Sequence, residues 1–207
     1  MDDIIPTEEF KIQYAHDGTG LCVGMVGSGR AGKTTCLSHI LQNYFRKHIG
    51  VLFTGSPQID AYKNMDILQC DRFLPQVSKD MYAINKETKN HYNFLVVLDD
   101  IVTEKNNREV LKFWTIYRNS CINSIVSVQD VTLWNAAGRN NITIVCLFKL
   151  NTDDRIEKTI KAYLKSYFPS GTRMIDMIKW YKKATEDYHF IVIDQIRDKI
   201  YRTKIKL

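Results

Sequence analysis

The stretch VGSGRAGKTT, residues 26 to 35, constrains this chain more than any other part of it. Gly27, Gly32, Lys33 and Thr34 fit the spacing G-x-x-x-x-G-K-[ST]. At average composition such a match arises by chance in roughly one chain of this length in a hundred or fewer. By itself the pattern also suits a tight turn of small residues with a surface lysine, so its flanks decide. LCVGMVG, residues 21 to 27, is a short apolar run ending in glycine and reads as a buried strand. KTTCLSHILQNYFRKH follows, with Leu37, Ile40, Leu41 and Tyr44 at helical spacing. Glycines at 27, 29 and 32 let the backbone wrap closely and turn several N–H groups inward, and the positive end of the helix adds to that field. Strand, loop and helix in this order predict a phosphate cradle formed by Gly27, Ser28, Gly29, Arg30, Ala31, Gly32, Lys33, Thr34 and Thr35. Lys33 is expected to reach the β- and γ-phosphates of ATP, and the Thr34 hydroxyl to bind Mg²⁺.

Other segments extend the pattern. GVLFTGS (50–56) and NFLVVLDD (93–100) read as strands, the second too continuously apolar for a strand with one wet face. EVLKFWTIYR (109–118) reads as a helix with Val110, Phe113, Trp114 and Tyr117 on one side. NSIVSVQD (123–130) and NITIVCLFKL (141–150) are two more strands, and HFIVIDQIRDKIYRTKI (189–205) is two strands joined by a short turn. Strands alternating with helices predict an α/β fold. Its sheet is mainly parallel, helices cover both faces, and a C-terminal β-hairpin lies at the sheet edge. No repeat, low-complexity tract or linker divides the sequence, so residues 1–207 read as a single domain.

A phosphate loop of this kind needs a carboxylate at the end of a neighbouring strand to hold the metal. FLVVLDD supplies two acids in succession. Asp99 closes the apolar run and is the expected Mg²⁺ partner, while Asp100 is placed to act as general base on the attacking water. Gln129 ends a strand expected to lie beside the two that carry the phosphate loop and Asp99. There its amide either senses the γ-phosphate or orients the attacking water, or it merely faces solvent. Arg118 precedes that strand and Arg139 follows it. Each is either a surface arginine or an arginine finger for a neighbouring subunit's nucleotide.

Composition narrows the setting. No apolar run approaches the length of a membrane span. The acidic start, MDDIIPTEEF, lacks the basic and apolar regions of a signal peptide. Five cysteines, none at CxxC spacing, suggest neither a zinc site nor a disulfide framework, and fit a reducing intracellular setting. The net charge of +6 is uneven: residues 1–103 hold 10 Lys/Arg against 12 Asp/Glu, and the remainder 19 against 11. The basic half is either a solvated surface or a polyanion-facing one, nucleic acid first among the candidates. In 154–165, Ile156, Ile160 and Leu164 recur at helical spacing, with Lys158, Lys161 and Lys165 on another face. A second helix sets Met174, Met177, Ile178 and Tyr181 against Lys179, Lys182 and Lys183. These lysines are candidate contacts to the DNA backbone.

GSGRAGKTT, NFLVVLDDI, YRNSCINSIVSVQD and GRNNITIVCLF, in this order and spacing, resemble the genome-packaging ATPases of large double-stranded DNA viruses. These are P-loop NTPases of the ASCE/RecA-like FtsK–HerA superfamily, and the resemblance is to the poxvirus-type branch over roughly residues 21 to 150. KHIGVLFTGSP and the terminal hairpin give a weaker echo. The resemblance implies a hydrolase that binds ATP through its Walker A loop (Gly27 to Thr35) and Mg²⁺ through Thr34 and Asp99. It implies water activation by Asp100, a polar sensor at Gln129, and an arginine acting in trans, Arg118 first and Arg139 second. It implies a homo-oligomeric ring that translocates double-stranded DNA into a preformed capsid, capsid proteins as partners in virion assembly, and a location at the host's assembly site or in the virion. Asp99-Asp100 departs from the Asp-Glu of many superfamily members, which puts the water position in doubt.

Three other classes compete. A small P-loop kinase needs an arginine-rich lid, whereas the basic residues of DDRIEKTIKAYLKSYF (153–168) are mostly lysine. A GTPase needs N-K-x-D after the metal-binding strand, and the near match NKET (85–88) lies before it and ends in Thr. A nucleotide-dependent scaffold without turnover is disfavoured by Asp100 and Gln129.

Overall fold

The computed structural model describes residues 5–12, 18–55, 60–63, 65–103 and 105–205. Eight strands form one sheet: β1 Cys22–Val26, β2 Ile49–Thr54, β3 Leu68–Cys70, β4 Phe94–Asp99, β5 Ile122–Val128, β6 Ile144–Leu147, β7 Phe190–Asp194 and β8 Lys199–Thr203. Among the described residues seven α-helices accompany them: α1 Lys33–Tyr44, α2 Asp60–Lys63, α3 Pro75–Glu87, α4 Asn107–Thr115, α5 Ala136–Arg139, α6 Asp153–Thr159 and α7 Met174–Ala184. Strand order is β3-β2-β4-β5-β1-β6-β7-β8. The first six strands in that order are parallel, and β7 and β8 close the sheet antiparallel, as the α/β expectation with a terminal hairpin requires.

Both faces of β1 and β4 are buried because their apolar runs do not alternate with polar residues, and β5 is buried as well although it carries Asn123, Ser124 and Ser127. Phe94, Val96 and Leu98 pack with Phe113, Trp114 and Ile156 on one face, and Leu95 and Val97 pack with Leu37, Ile40 and Tyr62 on the other. Gly24 is small for a packing reason, since a Cβ there would lie 2.6 Å from the Trp134 ring. Asn123 ties the middle of the sheet together: its Oδ1 accepts from Leu21 N at 2.9 Å and its Nδ2 donates to the Phe94 carbonyl at 3.0 Å.

Some elements depart from expectation. The strand expected over 50–56 ends at Thr54, and Ser56 lies outside the described residues. The helix expected over 109–118 spans Asn107–Thr115 and tightens into a 3₁₀ turn at Tyr117–Ser120. The one expected over 154–165 stops at Thr159, continues as a π turn through Leu164 and ends in a 3₁₀ turn at Lys165–Tyr167. The widened turn shifts Lys165 out of the helical register of Lys158 and Lys161.

Candidate functional site

Parallel strands bring the carboxyl ends of β1, β4, β5 and β6 to one edge of the sheet. The loop after β1 is bracketed there by its neighbours. Gly27 N donates to the Val128 carbonyl at 3.1 Å, Ser28 N to the Lys149 carbonyl at 2.9 Å, and Asn151 N to Ser28 Oγ at 3.0 Å. Arg30 and Gly32 take left-handed backbone, φ 61° and 96°. For Gly32 that is free, whereas for Arg30 it costs about 1 kcal/mol. A Cβ on Gly29 would meet nothing within 4 Å, so the loop presents open space on that side. α1 starts at this point with no side-chain cap and no acidic residue in its first turn. Its leading N–H groups and positive end are therefore uncompensated, unlike those of α6, which has Thr152 as cap and Asp153 and Asp154 in its first turn. An anion fits the start of α1 on physical grounds.

Lys33 is only 5% exposed. Its Nζ donates to the Gly27 carbonyl at 2.8 Å and the Ser28 carbonyl at 3.3 Å, clamping the loop, and lies 3.4 Å from Asp100 Oδ2. A buried ammonium so placed concentrates positive charge where the loop opens.

The adjacent acids Asp99 and Asp100 have different surroundings. Asp99 is buried opposite Ser127 in the ladder. Its Oδ2 accepts from the Tyr62 hydroxyl at 2.5 Å, and its Oδ1 is buried with no hydrogen-bond partner among the described residues. Burial, helped by the neighbouring Asp100 charge, raises its carboxyl above the usual carboxylate range. Burial first, then the Asp99 charge, pushes the Tyr62 hydroxyl well up, keeping it a proton donor, and the Thr34 hydroxyl acts on that same phenol. Thr34, Tyr62 and Asp99 thus form one polar cluster. The orphaned Asp99 Oδ1 and the Thr34 hydroxyl are oxygen donors of the kind Mg²⁺ takes. No cluster of three or more His, Cys, Asp or Glu that could hold a metal occurs among the described residues, so an ion here takes its remaining ligands from water and nucleotide phosphates.

Asp100 leaves the strand. Its φ of 49° is left-handed, its N–H donates to the Ser127 carbonyl at 3.1 Å, and its side chain is 34% exposed. Gln129 Nε2 lies 3.4 Å from Asp100 Oδ2, the oxygen that also faces Lys33. Because β5 lies between β4 and β1, Gln129 stands beside both strands that carry these groups. A cavity of about 380 Å³ opens beside the pair, with Asp130, Thr132 and Arg155 in its wall. The arrangement can hold a triphosphate, receive a proton from a water at Asp100 and orient that water through Gln129.

Arg118 and Arg139 lie elsewhere. Arg118 precedes β5, accepts Gly20 N at its carbonyl (2.7 Å) and donates from Nη1 to the Asn141 carbonyl at 3.1 Å. Arg139 ends α5, shortly before β6. Both therefore stand where the strands begin, a strand's length from the phosphate edge, which for the 7-residue β5 is about 23 Å at about 3.3 Å per residue. Neither meets the loop of its own chain.

Two residues at this edge escaped the sequence reading. Tyr62 is 37 positions from Asp99 and belongs to no local pattern. Arg155 lies in the segment 153–168, where three lysines outnumber and mask its one arginine.

No protein-family model matches the chain, and no curated protein matches it by sequence. Solved structures do. The genome packaging NTPase B204 of Sulfolobus turreted icosahedral virus 2, in complex with AMPPCP, superposes with a TM-score of 0.60 at 16% identity, over 90% of this chain and 98% of that one. This chain has the fold of that packaging NTPase. The pCW3 conjugation coupling protein TcpA with ATPγS gives 0.56 at 12% identity, covering 88% of this chain and 59% of that one. Two ATPase domains of EssC from Geobacillus thermodenitrificans give 0.51 at 14% identity, over 70% and 34%. Among the described residues no helix is long and apolar enough to cross a membrane.

Proposed function

We propose that this chain, as a single P-loop ATPase domain over 1–207, is an ATP-hydrolysing motor that moves double-stranded DNA into a preformed viral capsid. One observation carries the reading: the uncapped start of α1, the buried Lys33, the orphaned Asp99 oxygen and the Asp100–Gln129 pair share one strand edge. The shared fold with a genome packaging NTPase supports the DNA-moving part.

In this reading the loop Gly27 to Thr35 and the Lys33 ammonium hold the β- and γ-phosphates, through the backbone N–H groups left after those of Gly27 and Ser28 are taken by the Val128 and Lys149 carbonyls. Thr34 and Asp99 would hold Mg²⁺, which would supply charge neutralisation on the phosphate oxygens. Tyr62 fixes the Asp99 carboxylate by its short hydrogen bond. Asp100 takes the proton of a water oriented by Gln129 as the water oxygen bonds to the γ-phosphorus and the bond to the ADP oxygen breaks. Arg118, with Arg139 second, is proposed to act on a neighbour's nucleotide in a homo-oligomeric ring, since neither lies at its own phosphate edge. Lys158, Lys161 and Lys165, with Lys179, Lys182 and Lys183, are proposed to face the DNA backbone. Capsid proteins and an intracellular or virion-associated assembly site complete the proposal.

The test is steady-state ATP hydrolysis by the full chain, with and without double-stranded DNA. Mg²⁺-dependent turnover that DNA stimulates is expected. Transfer of phosphate to a small acceptor, indifferent to DNA, would return the kinase alternative, and tight ATP binding without turnover would make the chain a scaffold.

A further inference from the structure

We infer that Arg155 is the arginine this chain sets on the terminal phosphate of its own nucleotide, an inference that rests on the ATP-binding reading above. Three features place it there. The segment joining β6 to α6 is hydrogen-bonded to the phosphate loop at two points, Ser28 N to the Lys149 carbonyl and Asn151 N to Ser28 Oγ, so the start of α6 is keyed to that loop. Arg155 is in the first turn of α6, its own N–H donating to the Thr152 hydroxyl. From the other side Asp130 holds the guanidinium. Its Oδ1 is occupied by Thr132 N at 2.9 Å and Thr132 Oγ1 at 2.8 Å, leaving Oδ2 for Arg155 Nε at 3.3 Å. Grip at Nε leaves the Nη groups for another acceptor, and they hydrogen-bond to none of the described residues.

The third feature is the cavity into which this side chain projects. It is shared with Asp100 and Gln129, and Asp100 Oδ2 also lies 3.4 Å from Lys33 Nζ, so the cavity adjoins the end of the site where a γ-phosphate must sit. Two carboxylates, Asp100 and Asp130, line it. A γ-phosphoryl group beside them needs positive charge opposite Lys33, and Arg155 is the cation in the wall. Its side chain is 38% exposed, so the cavity opens to solvent and admits phosphate and water. As the water–phosphorus bond forms and the bond to the ADP oxygen breaks, the Nη groups donate to the equatorial oxygens. Arg118 and Arg139 cannot do this in the same chain, because they stand at the opposite ends of the strands.

The experiment compares the full-length Arg155→Ala and Asp130→Asn proteins with the unaltered chain, in Mg²⁺-dependent ATP turnover and in calorimetric binding of ADP and ATPγS. For Arg155→Ala, kcat should fall by about 100-fold or more, and ATPγS affinity by about tenfold, with ADP affinity within about twofold. Asp130→Asn should lower kcat by about tenfold and add no further loss in the Arg155→Ala background, because Asp130 acts through Arg155. Mixing Arg155→Ala with Lys33→Ala protein should restore nothing, since every intact loop then lacks its own arginine. Turnover within about threefold of the unaltered chain, or equal loss of ADP and ATPγS binding, would overturn the assignment. Rescue on mixing would overturn it too, by making Arg155 a residue that serves a neighbour. If the unaltered chain proves inactive the hydrolase reading falls, while preference for ATPγS over ADP still tests whether Arg155 meets the terminal phosphate.

Discussion

The same parallel strands end in one kind of surface and begin in another. At their carboxyl ends a Cβ on Gly29 would touch nothing within 4 Å, Asp99 buries an oxygen with no hydrogen-bond partner, and Asp100 is turned out of the strand with φ 49°. At their amino ends a Cβ on Gly20 would lie 2.1 Å from the Ile122 carbonyl, Arg118 is tied to Asn141, and Thr143 exchanges hydrogen bonds with Cys22. The carboxyl edge is open around Gly29, and the amino edge is packed around Gly20. Left-handed residues occur at both, Asp100 at one and Cys121 (φ 54°) at the other, so open space beside paired acids separates the two edges, not backbone strain.

The largest expected effect tests whether the open edge is the site at all. Lys33→Ala should abolish turnover and strongly weaken nucleotide binding, because it removes both the charge and the clamp on the Gly27 and Ser28 carbonyls. Hydrolysis measured at near-normal rate would sink the motor reading. Next in size is a test of whether the closed edge acts at all. If Arg118 serves a neighbour, Arg118→Ala should lower turnover by about three to five orders of magnitude, and mixing with Lys33→Ala protein should recover part of it. Recovery with Arg139→Ala instead would exchange the two. A third, smaller effect divides the adjacent acids. Asp100→Asn should cut turnover by about two orders of magnitude while leaving Mg-ATP binding nearly intact. Loss of binding would show that Asp100 holds the metal and that buried Asp99 does not.

These contrasts also explain what was legible beforehand. Gly27, Lys33, Asp99 and Gln129 could be placed relative to one another because each ends an apolar run or begins a helical one, and parallel strands put such ends side by side. Tyr62 could not, since it reaches Asp99 from a four-residue helix and only folding brings it within 2.5 Å. α3 was invisible for a related reason. Two of its three buried residues, Ser78 and Asn85, are polar, so no apolar stripe marks it. Asn85 offsets the cost of its burial by donating to the Tyr92 and Ser120 carbonyls, bonds that no periodicity reveals. The π turn after α6 has no sequence signal in its apolar spacing, because Ile156, Ile160 and Leu164 are buried as an ordinary helix would bury them.

The smallest effect concerns the exposed lysines of α6, of the turns that follow it, and of α7. Lys158 pairs with Asp154 at 2.6 Å, Lys161 with Glu157 at 2.5 Å, and Lys182 in α7 with Asp153 at 2.6 Å, while Lys165 sits in the 3₁₀ turn. All four are exposed, and exposed pairs are weak and screened by salt, so a polyphosphate can displace the acidic partners. A motor that moves over any sequence needs binding of this indifferent kind. Replacing Lys158, Lys161 and Lys165 together with Gln, then titrating duplex DNA at several salt concentrations, should lower the slope of log affinity against log salt by about 0.9 for each phosphate no longer neutralised. Because Lys165 has left the register of the other two, the fall should come mainly from Lys158 and Lys161. Basal ATP hydrolysis should persist while its stimulation by DNA drops, since none of the three touches the phosphate loop. An unchanged slope would mean that the acidic partners Asp154 and Glu157 already satisfy this face, and that DNA meets another part of the chain.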